Sequence, residues 1–136
     1  MSEQQTVEKE NVEIVNDLYA AFGRGDIEHI IAKLHDDVRW FSHVDAIVPT
    51  SGDWSGKAKV SGFFKTLAEY TEVRSFTPRE VVAQGDTVVS MGSISGRVKA
   101  SGKTLLSNWV FIWKLRDGKV ASYEQFHDGR LAAAFR

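Results

Sequence analysis

A chain of 136 residues fits one domain, 1–136, since burying roughly two-thirds of its unfolded surface leaves no material for a second core. With 43% hydrophobic and 26% charged residues, no cysteine and a net charge of -1, it excludes disulfides and thiolate metal sites and offers no basic field for nucleic acid. No apolar run approaches bilayer length and the N-terminus, MSEQQTVEKE, lacks the apolar centre of a signal peptide, so a cytoplasmic protein with no membrane partner is expected.

From about Thr6 to Phe22, the residues Val12, Val15, Tyr19 and Phe22 recur at three- and four-residue steps with Ile14, Leu18 and Ala21 beside them, which predicts a broad-faced amphipathic helix. Gly23 and Gly25 end it, and Asp26 is placed to cap a short second helix whose buried stripe is Ile27, Ile30, Ile31 and Leu34. The run His35 to Asp37, HDD, reads as the polar end of that helix rather than a metal site. Val38 to Ser42 is a short strand. The dozen residues after it, HVDAIVPTSGDW, hold Pro49, Gly52 and Asp53 and predict an irregular loop of the kind that shapes binding sites. Gly56 opens a third helix with Val60, Phe63, Phe64, Leu67 and Thr71 at helical spacing.

Val73 to Ala83 begins a strand-rich half. Pro78 has no amide hydrogen to give to a ladder, so this strand lies at an edge or bends there. Gly85-Asp86 turns the chain into Thr87 to Val98, and Ser101-Gly102 turns it into a closing hairpin, Thr104 to Asp128, folded at Asp117-Gly118. Pairing Arg116 with Lys119 and counting back sets Trp113 opposite Ser122, Phe111 opposite Glu124, Trp109 opposite Phe126 and Ser107 opposite Asp128, all on one face. Tyr123, Gln125 and His127 then point away from this aromatic wall, toward the surface or a dimer interface. Carried across to the preceding strand, the register sets Ile94 beside Trp109, Gly92 beside Phe111 and Ser90 beside Trp113, with Gly92 and Gly96 where the wall needs room or the sheet curves. The tail LAAAFR is a short helix or a flap. Helices first, then a meandering antiparallel sheet whose apolar face they cover, make an α+β fold.

Two carboxylates in an aromatic wall invite a functional reading, because burying an unpaired charge is costly. Asp128 is either an acid or base with a pKa raised by Phe126 and Trp109, or a strand-end carboxylate bonded to backbone amides or Arg130. Glu124 either shares a proton with Asp128, pairs with an arginine or twists into solvent. Trp40, Trp54, Trp109, Phe111, Trp113 and Phe126 line a slot for a flat ligand or pack the core, and Trp54, in the loop, guards an entrance. His43 borders the pocket mouth as a proton shuttle or sits in solvent. No histidine pair has metal-site spacing, so no metal is expected.

The glycine-bounded corner FGRGDIEHIIAKLHDDVRW, the loop ending in WSGKA before a helix carrying FF, then GDTVV, and the closing WVFIWKLRDGKV with YEQFHD resemble the SnoaL-like branch of the nuclear transport factor 2-like superfamily, over nearly the whole chain. The resemblance implies a cystatin-like cone, a strongly bent antiparallel sheet wrapped around helices with a pocket between them, and homodimers through the outer sheet face. It speaks less specifically to function, because the superfamily holds isomerases, cyclases, hydrolases and members without catalysis. Ser42 falls where ketosteroid isomerases carry their base and Trp109 to Phe111 where they carry an oxyanion acid, so that activity is not expected. Of the limonene epoxide hydrolase constellation only Asp128 has a counterpart. SnoaL-like cyclases use an aspartate near the end of the final strand, where Asp128 stands. The expectation is a cofactor-free isomerase, cyclase or hydratase acting on a hydrophobic, polycyclic or aromatic small molecule with Asp128 as general acid or base; the alternative is a small-molecule-binding or dimerisation module of the same fold.

Overall fold

The computed structural model describes residues 2–136. Helix α1 spans Glu3–Gly23 and starts in a capping box, with the Ser2 hydroxyl accepting from the Gln5 amide at 3.1 Å and the Gln5 side chain accepting from the Ser2 amide at 3.0 Å. It stops because Gly25 takes a φ of 73°, which lets the Asp26 amide close back on the Ala21 carbonyl at 2.8 Å. Asp26 then caps α2 (Ile27–Ala32) through the His29 amide.

Strand β1 runs Leu34–His43 and includes the HDD run, which is therefore strand and not a helix end. After it come the two-residue β2 (Gly52–Asp53), α3 (Lys57–Tyr70), β3 (Thr71–Gln84), β4 (Thr87–Val98), β5 (Thr104–Arg116), β6 (Lys119–His127) and α4 (Gly129–Ala134). The strands form one sheet in the order β2-β1-β6-β5-β4-β3. Helix α1 packs on β3 and β4, and α3 on β1.

The α+β class is as the sequence predicts, and the shape expected from the resemblance is corrected. The sheet is mixed, because β1 lies parallel to β6, and it is open, with β2 and β3 as free edges, neither closed nor strongly curled. Two ends of the chain meet at the β1–β6 pair, and a contact between strands that no turn connects is free to run parallel. Bending is local instead. Edge strand β3 carries bulges at Val73/Ser75 and, just past Pro78, at Pro78/Glu80.

Two strands, β4 and β5, present an inner face by simple alternation, with Leu105, Ser107, Trp109, Phe111, Trp113 and Leu115 inward on β5. Trp109 is stacked between Phe76 and Phe111, with ring centres 4.9 and 4.0 Å away. Gly92 lies across from Trp109 and Ser90 across from Phe111, two residues along from the register the sequence suggests but on the same face.

Candidate functional site

The closing hairpin turns as its sequence demands: Asp117 and Gly118 both have positive φ, 54° and 75°, the conformation a two-residue turn matched to strand twist requires. Arg116 pairs with Lys119 and Leu115 with Val120. One step later Lys114 pairs with Ser122, leaving Ala121 as the extra residue of a bulge. Beyond it Trp113 faces Tyr123, Phe111 faces Gln125 and Trp109 faces His127. The expected face of β6 is therefore reversed. Tyr123, Gln125 and His127 turn inward, while Glu124 and Phe126 turn out.

What they turn toward is a cavity of about 80 Å³ beneath the helices, walled by aromatic rings that include Tyr19, Trp40, Phe63, Phe76, Phe111 and Trp113. Trp40 holds one end, 4.0 Å from the Tyr123 ring and edge-on to Phe63 and Trp113. Leu131 and Phe135, either side of the end of α4, close another. Among the described residues no Lys, Arg, Asp or Glu lines this cavity. A charged ligand group would have no opposite charge to meet there.

The polar groups that do reach the wall are held in place. The Tyr19 hydroxyl accepts from the Trp113 indole at 2.8 Å and pairs with the Ser90 hydroxyl, and burial pushes its pKa up to about 12. The Tyr123 hydroxyl, also driven upward by burial, donates to Gln125 Oε1 at 2.7 Å, and Gln125 Nε2 donates to Ser42 Oγ at 2.9 Å. Ser107 gives its hydroxyl hydrogen to the Asn108 carbonyl, so its oxygen is left to accept from His127 Nδ1, 3.0 Å away. That accounting puts the histidine's hydrogen on Nδ1 and its lone pair on Nε2. Burial lowers the His127 pKa to about 4, against a smaller upward pull from Asp128, so the ring is neutral at pH 7.

Known proteins share this fold. The sequence profile described as "SnoaL-like domain" matches residues 15–123. The chain belongs to the SnoaL-like family. Among solved structures, this SnoaL-like domain is similar to an NTF2-like protein from Burkholderia xenovorans LB400, at 34% identity over 95% of this chain and 98% of that one with a TM-score of 0.84. An NTF2-like protein from Burkholderia thailandensis E264 follows at 28% identity, 90% and 94% coverage and a TM-score of 0.81. TerC, co-crystallised with polyporic acid, is 28% identical over 91% of this chain and 98% of that one, with a TM-score of 0.75. No curated protein is significantly similar to the chain.

Of the residues singled out in the sequence, the SnoaL-like domain brings Trp40, Phe111 and Trp113 to the cavity wall. Trp109 is buried behind them in the ring stack. Trp54 packs edge-on against Phe63 and spends its indole hydrogen on the Thr50 and Ser51 carbonyls, which makes it a brace for the loop. Glu124, Phe126 and His43 assemble on the opposite side of the sheet, where His43 stacks on Phe126 at 4.6 Å and bonds the Glu124 carboxylate at 2.9 Å. Asp128 lies outside the inner cavity, beside an open cleft, and caps α4. Its carboxylate accepts from the Asn108 and Arg130 amides and from the Arg130 guanidinium at 2.7 Å, which together hold its pKa well below the usual carboxylate range. Glu124 and Asp128 are thus on different partners and share no proton.

His127 and Gln125 were missed because of the bulge. A signal for it exists: Val120 and Tyr123 are both buried, and a three-residue gap between inward side chains breaks the two-residue period of a strand. Asp128→Ala should cost about 1 kcal/mol by loss of the cap, seen as a lowered denaturation midpoint with an unchanged denaturant slope.

Among the described residues no helix is long and apolar enough to cross a membrane, and no cluster of three or more His, Asp or Glu is arranged to hold a metal.

Proposed function

We propose that this SnoaL-like domain is a cofactor-independent enzyme of the isomerase, cyclase or hydratase kind, which takes an uncharged aromatic or other hydrophobic ring compound into the inner cavity and moves a proton through His127. The observation carrying this reading is a single neutral imidazole, anchored at Nδ1 by Ser107, in a wall otherwise rich in aromatic rings. A base that ionises near pH 4 is similar in strength to the carboxylate, at about 4.6, with which ketosteroid isomerases take a proton next to a carbonyl. Asp128, one residue on, favours the imidazolium that forms and so acts as a positioning residue. Co-crystallisation of TerC with polyporic acid supports a small-molecule ligand for a domain of this fold.

Size sets the scale. A dry apolar cavity of about 150 Å³ accommodates benzene, so one of about 80 Å³ takes even a single ring only when its wall side chains move apart, and anything polycyclic requires Leu131 and Phe135 to swing out with α4.

Phenylacetone in D₂O tests the chemistry, because its CH₂ lies between a ring and a carbonyl. The wild-type protein should speed deuterium uptake there, His127→Phe should slow it about 100-fold, and Asp128→Asn about tenfold. Binding without exchange would leave the second reading, a non-catalytic binding module. That reading is favoured by one observation: Asp128 and Glu124 are both already engaged, by Arg130 and His43. In either case, native mass spectrometry of protein from its own host should find a small aromatic molecule travelling with it.

The outer sheet face fits a second copy. Leu106, Val110 and Phe126 expose 47%, 36% and 38% of their surface there, which supports a symmetric homodimer. Phe126→Glu should then shift sedimentation to monomer, and a wild type that is monomeric at high concentration would rule the pairing out.

A further inference from the structure

Two polar side chains of β6 keep hydrogen-bonding capacity to spare. A side-chain amide has two hydrogens, and Gln125, 6% exposed and in the cavity wall, has one partner for them, Ser42. Reversing the amide changes nothing, since its nitrogen would then serve Tyr123 alone. His127 likewise has one engaged nitrogen and, among the described residues, no donor for the other. Tyr19, by contrast, has both its donor and acceptor capacity used. Gln125 and His127 stand two residues apart on one face of a strand, so the backbone positions that carry the spare donor and the spare acceptor are on the order of 7 Å from each other. An apolar molecule filling the cavity would strip water from both and leave them unpaired, which is expensive.

We infer that the ligand carries a hydroxyl and a carbonyl oxygen on one conjugated ring system, the hydroxyl donating to His127 Nε2 and the carbonyl accepting from the Gln125 amide. This rests on the inner cavity being the ligand site, and names the substrate class it selects: uncharged hydroxyaryl ketones and their vinylogous relatives, in preference to plain hydrocarbons and carboxylic acids. A para relation across one ring separates the two oxygens by about the strand spacing. Carboxylic acids are rejected because their ionised group finds no cation in the wall.

Four one-ring probes of similar shape separate the contributions: ethylbenzene with neither oxygen, 4-ethylphenol, acetophenone, and 4-hydroxyacetophenone with both. Titration calorimetry at pH 7 should show each oxygen tightening binding about fivefold, as expected for one net hydrogen bond, and the two together about 25-fold. In Gln125→Met the gain from the carbonyl should vanish while that from the hydroxyl stays, and in His127→Phe the reverse. Equal affinities for all four probes in the wild type, or a carbonyl gain that survives Gln125→Met, would overturn the inference while leaving the cavity as a binding site. Failure of all four to bind would remove both. Should Gln125→Met not fold, the four wild-type affinities decide alone.

Discussion

Gly96→Ala should destabilise the protein by about 3 kcal/mol or more, a large fraction of the roughly 5–15 kcal/mol that keeps a domain of ordinary stability folded. Both inward glycines of β4 stand opposite a bulge in edge strand β3, where the bulged backbone rides in over the sheet. A Cβ on Gly96 would overlap the Glu72 carbonyl, and one on Gly92 would overlap both the Thr77 carbonyl and the Trp109 ring. Backbone atoms cannot rotate aside, so the strand pair itself must separate. Gly92→Ala should fare as badly and also disturb the Phe76–Trp109–Phe111 stack, visible as a change in tryptophan fluorescence. Gly129→Ala is the control. Nothing lies within 4 Å of its added methyl, it opens α4, and its φ is not positive, so the change should be neutral or slightly stabilising. Urea midpoints for the three variants check the contrast, and a Gly96→Ala protein as stable as Gly129→Ala would refute the account of the bulges.

Acid should weaken the fold between pH 6.5 and 4 in a way that His127→Phe does not share. In the unfolded chain His127 takes up a proton near pH 6.5, whereas in the folded protein burial delays this to about 4. Between those values the unfolded state binds the extra proton, so stability rises with pH across the window and falls as the solution is acidified. At about 1.4 kcal/mol per pH unit, the loss amounts to on the order of 3 kcal/mol by pH 4 and levels off below it. Asp128 acts in the same sense but lower on the pH scale: its contribution is whole above the ordinary carboxylate range and is lost only in stronger acid, as pH drops through its lowered folded pKa. Paired urea titrations of wild type and His127→Phe from pH 7 to 4 isolate the histidine. Parallel curves would mean that His127 is solvated in the folded state, and the proton-transfer proposal would fall with it.

Much of the fold was legible because its signals are local. The Asp26 cap, the Gly25 helix stop, the Asp117-Gly118 turn and the alternation along β4 and β5 each depend on residues a few positions apart, and each is in place. The aromatic wall was legible too, for five of the six inward positions of β5 are apolar or aromatic whatever the partner strand does. The second half of the hairpin was not. Counting from a correctly read turn gives the wrong face of β6 as soon as one unmatched residue, Ala121, enters, and every side chain beyond it changes sides. Glu124 and Phe126 left the candidate site in that step, and Gln125 and His127 entered it.

By itself, then, the sequence determined the first three helices, the strands β3 to β6 with their turns, and the family, since these are written in spacing and composition over short stretches. Tertiary structure alone decided that β1 runs parallel to β6, that the sheet stays open, and that an imidazole rather than a carboxylate faces the cavity. The reason is packing: Val120 and Tyr123 both find buried places against Leu115 and Trp113, and a strand can bury two side chains three residues apart only by bulging between them.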